Sequence, residues 1–291
     1  VRGACAEIRI RPAPGDRMTV VSNVAFIGGG NMARSLIGGL IVRGAAPADI
    51  RVSEPVDTLR EALARDFGVA VGADNAEAVA PAGLWVLAVK PQVMRAVCEA
   101  LAPLAQAHRP LVVSIAAGIT TAQLQRWLGG EVAVVRTMPN TPALLGAGVT
   151  GLFASAEVDA NGREHAANLL ANAGKTVWID DESRMDAVTA TSGSGPAYIF
   201  LLAEAMEAAA IAEGLPADAA RTLVQETVLG AARMLTESSE DPAELRRRVT
   251  SPGGTTQAAV ETFEAGGFRD LVAKAIRSAT ERGRQLSAAN D

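Results

Sequence analysis

The chain has 291 residues, 49% of them apolar and only 3% aromatic, which suits two cores packed by small aliphatic side chains. Its net charge of −5 offers no electrostatic footprint for nucleic acid or an anionic membrane. Cys5, Cys98, His108 and His165 are too few and too scattered for a disulfide framework or a zinc site, so no metal is expected.

Residues 1–17, with Pro12, Pro14 and scattered arginines, read as a flexible N-terminal extension, and Met18 as a natural start. The stretch has no continuous apolar core of a signal peptide. The longest apolar run, "PAYIFLLAEAMEAAAIA", is interrupted by Glu204 and Glu207 and reads as a buried helix, not a membrane span. A cytoplasmic location is therefore expected.

From residue 24 onward, short apolar runs alternate with helical patterns. Strands are predicted at 24–27, 50–53, 69–71, 84–89, 111–115 and 132–137, most nearly free of alternation, as expected for strands buried on both faces. Helices are predicted between them at 32–43, 58–66, 75–79, 92–101 and 121–128. Repeated strand–helix–strand units imply a doubly wound parallel sheet of the Rossmann type. Strands at 148–154 and 175–179, separated by a helix at 160–173, extend the same sheet. After Asp180 only helices are predicted: 183–190, 197–213, 217–235, 243–249, 257–264 and 268–286. The expected organisation is a dinucleotide-binding domain over 18–181 and an all-α domain over 182–291.

The stretch "VAFIGGGNMA" places Gly28, Gly30 and Ala33 in the spacing G-x-G-x-x-A, directly after the first strand and opening the first helix. That is the context the dinucleotide fingerprint needs. Gly28 permits the tight turn, Gly30 lets a pyrophosphate approach bare backbone, and Ala33 lets helix and strand pack closely; Asn31 and Met32 border the loop. Ser53 and Glu54 end the second strand about twenty residues further on, where an acidic side chain accepts hydrogen bonds from a ribose 2′-hydroxyl. Glu54 would repel a 2′-phosphate and favours NAD, whereas Ser53 could serve a phosphate; a solvated loop carboxylate is the plainer role for Glu54. Lys90, one of three lysines, ends the fourth strand in "LAVKP", and "SIAAG" ends the fifth. Asn140, bracketed by prolines in "RTMPNTP", is a candidate for orienting an amide or a substrate, or a turn residue.

Two loops in the helical half are rich in small residues. "TSGSGPAY" leaves the backbone before Pro196 exposed, for a ligand or for close helix packing. In "TSPGGTTQ", Gly253 and Gly254 precede Thr255, Thr256 and a helix start. Bare N–H groups there make a nest for a single carboxylate, with the Thr256 hydroxyl available to a ring nitrogen; an ordinary capped loop is the alternative.

In order, "FIGGGNMA", "AVKPQ", "SIAAGI", "RTMPNTP", "SGSGPAY" and "TSPGGTT" resemble the pyrroline-5-carboxylate reductase family over nearly the whole chain. The resemblance implies reduction of the cyclic imine of 1-pyrroline-5-carboxylate to L-proline with NADP or NAD in reduced form, the last step of proline synthesis. It implies a homodimer or a higher homo-oligomer of dimers, whose helical domains interlock so that the active site lies between one chain's cofactor domain and the partner's helices. By position, Ile27, Gly28, Gly29, Gly30, Asn31 and Met32 would surround the pyrophosphate, and Ser53 and Glu54 would face the adenosine ribose. Asn75, Ala88, Val89, Lys90, Pro91, Ala116 and Ala117 would line the cofactor cleft. Ser251, Gly253, Gly254, Thr255 and Thr256 would hold the substrate, with Thr256 as the catalytic candidate. Glu54 departs from the basic or small residue often found there in members that prefer NADPH. A β-hydroxyacid dehydrogenase would need a lysine that "SGSGPAYIFLLAEAM" lacks, and a non-catalytic dinucleotide sensor would have no use for "SPGGTT".

Overall fold

The computed structural model describes residues 23–290. The expected N-terminal extension, Met18 and Cys5 lie outside the described residues. The strands are β1 (Val24–Ile27), β2 (Ile50–Ser53), β3 (Ala70–Gly72), β4 (Leu84–Leu87), β5 (Leu111–Ser114), β6 (Ala133–Met138), β7 (Gly148–Ala154) and β8 (Gly174–Trp178). The helices between them are α1 (Asn31–Val42), α2 (Asp57–Phe67), α3 (Asn75–Val79), α4 (Pro91–His108), α5 (Thr121–Trp127) and α6 (Ala160–Leu170). Beyond the sheet follow α7 (Met185–Val188), α8 (Gly195–Ala212), α9 (Ala217–Glu237), α10 (Pro242–Arg248), α11 (Thr255–Ala265) and α12 (Phe268–Ala289).

The strands form one sheet in the order β3-β2-β1-β4-β5-β6-β7-β8. All neighbours are parallel except β6 and β7, which pair antiparallel. The reason is the connection: residues 139–147 are too few for the crossover of a dozen or more residues that a parallel pair needs. β8 regains the parallel direction relative to β7 because α6 supplies that crossover. The Rossmann-type sheet expected from the sequence is thus present, with its last two strands, β7 and β8, running opposite to the other six.

β1 and β4 are wholly buried because helices cover both faces of the sheet. Val24 and Phe26 point into a core with Leu36 and Ile37 of α1, Leu63 of α2 and Leu169 of α6. Ala25 and Ile27, on the other face, join Val79 of α3, Met94 and Leu101 of α4, and Leu124 of α5. Each fully buried Val, Leu, Ile, Phe or Met side chain among these contributes about 1.5–3 kcal/mol. α4 runs to His108, past the expected end at Leu101 and through Pro103, because Ala105 continues the buried stripe of Met94, Cys98 and Leu101.

Two compact units divide the chain. One contains the sheet, residues 23–193 and residues 279–290; the other is Ser194–Ser278. The sequence reading divided the chain after Asp181, yet the first unit runs on to Gly193. Glu182 accepts hydrogen bonds from Thr121 N and Oγ1, both at 2.7 Å, and Arg136 reaches Asp186 at 3.2 Å, so this stretch is fastened to the sheet. The predicted single helix at 183–190 is a short 3₁₀ turn, α7 and a π-helical turn at Thr189–Gly193. The end of α12 also belongs to the first unit: Gln123 Nε2 donates to Ser287 O and Asn290 Nδ2 to Gly118 O, each at 3.0 Å. Within the second unit α8 packs on α9, Arg221 bridges to Glu207 at 3.0 Å, and α8 has no buried residue of its own.

Candidate functional site

Strand register sets the geometry of the first unit's site. Ile27 lies opposite Ser53 and Leu87, and Leu87 opposite Ser114, so β1, β2, β4 and β5 end at one level. One more hydrogen bond follows each: Gly28 N to Ser53 O at 2.7 Å, Ala88 N to Ile27 O at 2.8 Å, and Ile115 N to Leu87 O at 3.2 Å. Gly28–Met32, Ser53, Glu54, Ala88–Pro91, Ala116 and Ala117 therefore follow adjacent strand ends along one carboxyl edge, where ligands of doubly wound folds bind.

Each glycine of the turn has a different job. Gly28 has φ +100°, and a Cβ there would lie 2.7 Å from Ala88 O, so only glycine fits between β1 and β4. A Cβ on Gly29 would lie 2.5 Å from Leu63 Cδ1, so this residue is sealed against α2. A Cβ on Gly30 would meet nothing within 4 Å. Gly30 is also the N-cap of α1 and provides no side-chain cap. The start of α1 thus offers bare backbone and the positive end of a helix dipole to an anion.

At the end of β2 the side chains sort themselves differently from the expectation. Glu54 is buried and turned toward the glycine turn: Oε2 accepts from Gly29 N at 2.8 Å and Oε1 from Val56 N at 3.0 Å. Both carboxylate oxygens are thus engaged by backbone. The buried Ser53 donates from Oγ to Asn75 Oδ1 at 2.6 Å, which brings together a residue expected at the ribose and one expected to line the cofactor cleft. Asn75 opens α3, whose N-cap is Asp74. Arg60 curls back from α2. Its Nη1 donates to Glu54 O at 2.7 Å and Pro55 O at 2.8 Å, and its Nη2 pairs with Asp57. Lys90 is exposed at the N-cap of α4, Ala117 is exposed, and Ala116 is buried beside the Ser114 hydroxyl.

Asn140 is structural: Oδ1 accepts from Val149 N at 3.0 Å and Nδ2 donates to Ser192 O at 3.2 Å. Both halves of its carboxamide tie the proline-bracketed loop to its own unit. Among the described residues, no cluster of three or more His, Cys, Asp or Glu stands where a metal could be held.

Ser251, Gly253, Gly254, Thr255 and Thr256 belong to the second unit. Gly253 has φ +71°, and its N–H donates to Gln257 Oε1 at 2.6 Å; Gly254 N donates to Ser251 O at 3.0 Å. The two glycine amides expected to form the nest are therefore occupied within the loop. Gly254 is the N-cap of α11 without a side-chain cap, and Thr255 and Thr256 make the first turn. Neither threonine caps the helix, so the first-turn amides of Thr255, Thr256 and Gln257 have no partner within the helix, whose first such bond is Ala258 N to Gly254 O.

A doubly wound sheet with a bare glycine turn at its first strand–helix junction defines a dinucleotide-binding protein. Residues 182–286 match the family profile described as "Pyrroline-5-carboxylate reductase dimerisation", and residues 23–118 match "NADP oxidoreductase coenzyme F420-dependent". The chain is 53% identical to a pyrroline-5-carboxylate reductase of Pseudomonas aeruginosa over 91% of its own length and 96% of the relative's. The structure of a pyrroline-5-carboxylate reductase from Coxiella burnetii superposes with a TM-score of 0.89 at 42% identity, covering 92% of this chain and 99% of that one. A Plasmodium falciparum pyrroline carboxylate reductase with NADP bound gives 0.80 at 26% identity, covering 91% and 98%. The chain belongs to the pyrroline-5-carboxylate reductase family.

Proposed function

We propose that this chain reduces 1-pyrroline-5-carboxylate to L-proline with NADPH or NADH. The observation that carries the proposal is the 53% identity to the Pseudomonas aeruginosa reductase across 91% of the chain. The glycine turn fits the dinucleotide: Gly30 faces open space at a helix start, as close approach of a diphosphate requires. Ile27–Met32 would receive the diphosphate, Ser53 and Asn75 the adenosine ribose, and Ala88–Pro91 with Ala116 and Ala117 the rest of the dinucleotide.

A dinucleotide held by these residues would supply hydride, two electrons with one proton, to the imine carbon. As the C–H bond forms, the π pair of the C=N bond moves onto nitrogen, which has taken a proton beforehand. A cyclic imine protonates readily, so the chain needs no strong acid at the site. Its work is orientation: the amides of Thr255 and Thr256 would hold the substrate carboxylate, and Thr256 Oγ1 the ring nitrogen.

We read the helices from Glu182 onward as a dimerisation domain and the protein as a homodimer or an assembly of dimers. The run Glu182–Ala212 is long and apolar enough to cross a membrane by length and composition. It lies inside the dimerisation match and carries Glu204 and Glu207, and a second copy of this chain is the cover that fits. A cytoplasmic location accords with that reading.

The test is loss of reduced-nicotinamide absorbance when the imine acid is added to the purified chain. Formation of proline with either dinucleotide is the expected result; constant absorbance with both would end the proposal.

A further inference from the structure

The residue at the end of β2 decides, in many dinucleotide enzymes, which dinucleotide is accepted. Here Glu54 is only 7% exposed and faces inward. One oxygen holds Gly29 N at 2.8 Å and the other Val56 N at 3.0 Å. Its backbone is held too: Glu54 N donates to Gly72 O at 2.9 Å, and Arg60 Nη1 donates to Glu54 O at 2.7 Å. Leu63 packs against Gly29 as well: a Cβ there would lie 2.5 Å from Leu63 Cδ1 and 3.3 Å from Glu54 Cβ. The middle glycine of the turn is therefore clamped by a carboxylate and a leucine, while Gly30, one residue on, is open.

We propose that Glu54 is a positioning residue. By fixing Gly29, its carboxylate sets the direction of the amides from Gly30 onward, which receive the diphosphate, and it takes no part in choosing between NADH and NADPH. The inference rests on the reductase reading only in requiring that the chain bind a dinucleotide. Its physical basis is that a carboxylate accepting two backbone N–H bonds is a strong, charge-assisted anchor. A diphosphate site built from backbone amides works only if those amides are pre-aimed. Glutamine at this position presents one acceptor oxygen and an NH2 group that opposes the second N–H. Alanine presents nothing.

Dissociation constants for NADPH and NADH, read by nicotinamide fluorescence on the full chain, test this in wild type, Glu54→Gln and Glu54→Ala. The clamp predicts that both dinucleotides weaken by the same factor, about tenfold in Glu54→Ala and less in Glu54→Gln. Hydrogen exchange provides a second readout that needs no ligand. In Glu54→Gln the amide of Gly29, which donates to the carboxylate at 2.8 Å, should exchange faster while β1 and β4 stay protected. Two results would overturn the proposal. One is an unequal change, NADH weakening while NADPH tightens, which would mean that Glu54 touches the ribose. The other is unaltered constants together with unaltered exchange, which would mean that the turn holds itself. A wild-type chain that binds dinucleotides without reducing the imine acid would sink the catalytic reading and leave this one standing.

Discussion

Arg136 of β6 and Asp186 of α7, 50 residues apart, meet with Nη2 3.2 Å from Oδ1, their side chains 4% and 10% exposed. Glu182 stands on the other arm of the guanidinium at 3.4 Å, and Gly283 of α12 packs directly on Asp186. Removing one member of a buried pair strands the other in a poorly solvated place, at a cost of about 3 kcal/mol. Asp186→Ala should lower the urea midpoint by a corresponding amount. The double variant with Arg136→Met should be less damaged than the sum of the two single variants. An unchanged midpoint for Asp186→Ala would show that the pair contributes nothing.

Gly28 and Gly30 should respond oppositely to the same methyl group. Gly28→Ala places Cβ 2.7 Å from a backbone oxygen at φ +100°, so the turn itself must deform and the melting temperature should fall. Gly30→Ala meets nothing in the protein and has φ −67°, so the fold should be unchanged. Its methyl group would occupy the space of the diphosphate and weaken dinucleotide binding about tenfold or more. Scanning calorimetry and dinucleotide titration separate the two effects.

Thr256→Ala should lower turnover of the imine acid about tenfold through loss of one hydrogen bond, leaving dinucleotide affinity within about twofold. Thr256→Ser keeps the hydroxyl and should recover most of the loss. Equal rates in all three proteins would remove Thr256 from the site.

Burial, with a smaller contribution from Glu99, pushes the Cys98 thiol up from 9.0 to about 12. The folded chain keeps this proton where the unfolded chain releases it, so the thiol subtracts nothing below pH 9 and stability declines as pH climbs from 9 toward 12. Iodoacetamide at about pH 8 should leave the Cys98 peptide unlabelled in the native protein and label it fully in urea, as read by mass spectrometry. Labelling of the native protein would contradict the buried, protonated thiol.

Phe200 and Leu201 on α8 are each 66% exposed within the chain, side by side on a helix with no buried residue. If α8 lies in the proposed dimer interface, Phe200→Glu should give a monomer in size exclusion with light scattering, because a charge would have to be desolvated there. A wild-type protein that runs as a monomer would remove the interface reading.

The layered plan was legible because "VAFI" and "LWVL" are too uniformly apolar to be half-exposed strands and are followed by helical periods. The reversal of β7 was also legible, in the short stretch between Met138 and Gly148, but only to a reading that counts connection length as well as strand character. Composition could not reveal which way Glu54 turns. A carboxylate at a strand end serves a ribose or a neighbouring amide equally well, and Leu63 and Gly29 decide the matter through packing. The loop at Gly253 poses the same limit, because its bare backbone suggested open donors while Gln257, four residues on, had already taken one.

The return of the end of α12 to the sheet-bearing unit matters for how the protein is made. Gly118 and Gln123 emerge from the ribosome well before the partners that satisfy them, Asn290 and Ser287, which lie 172 and 164 residues further along the chain. A nascent chain halted before them would carry all eight described strands with an open seam, so a chain truncated just before Ser287 should betray itself first as poor yield and chaperone retention.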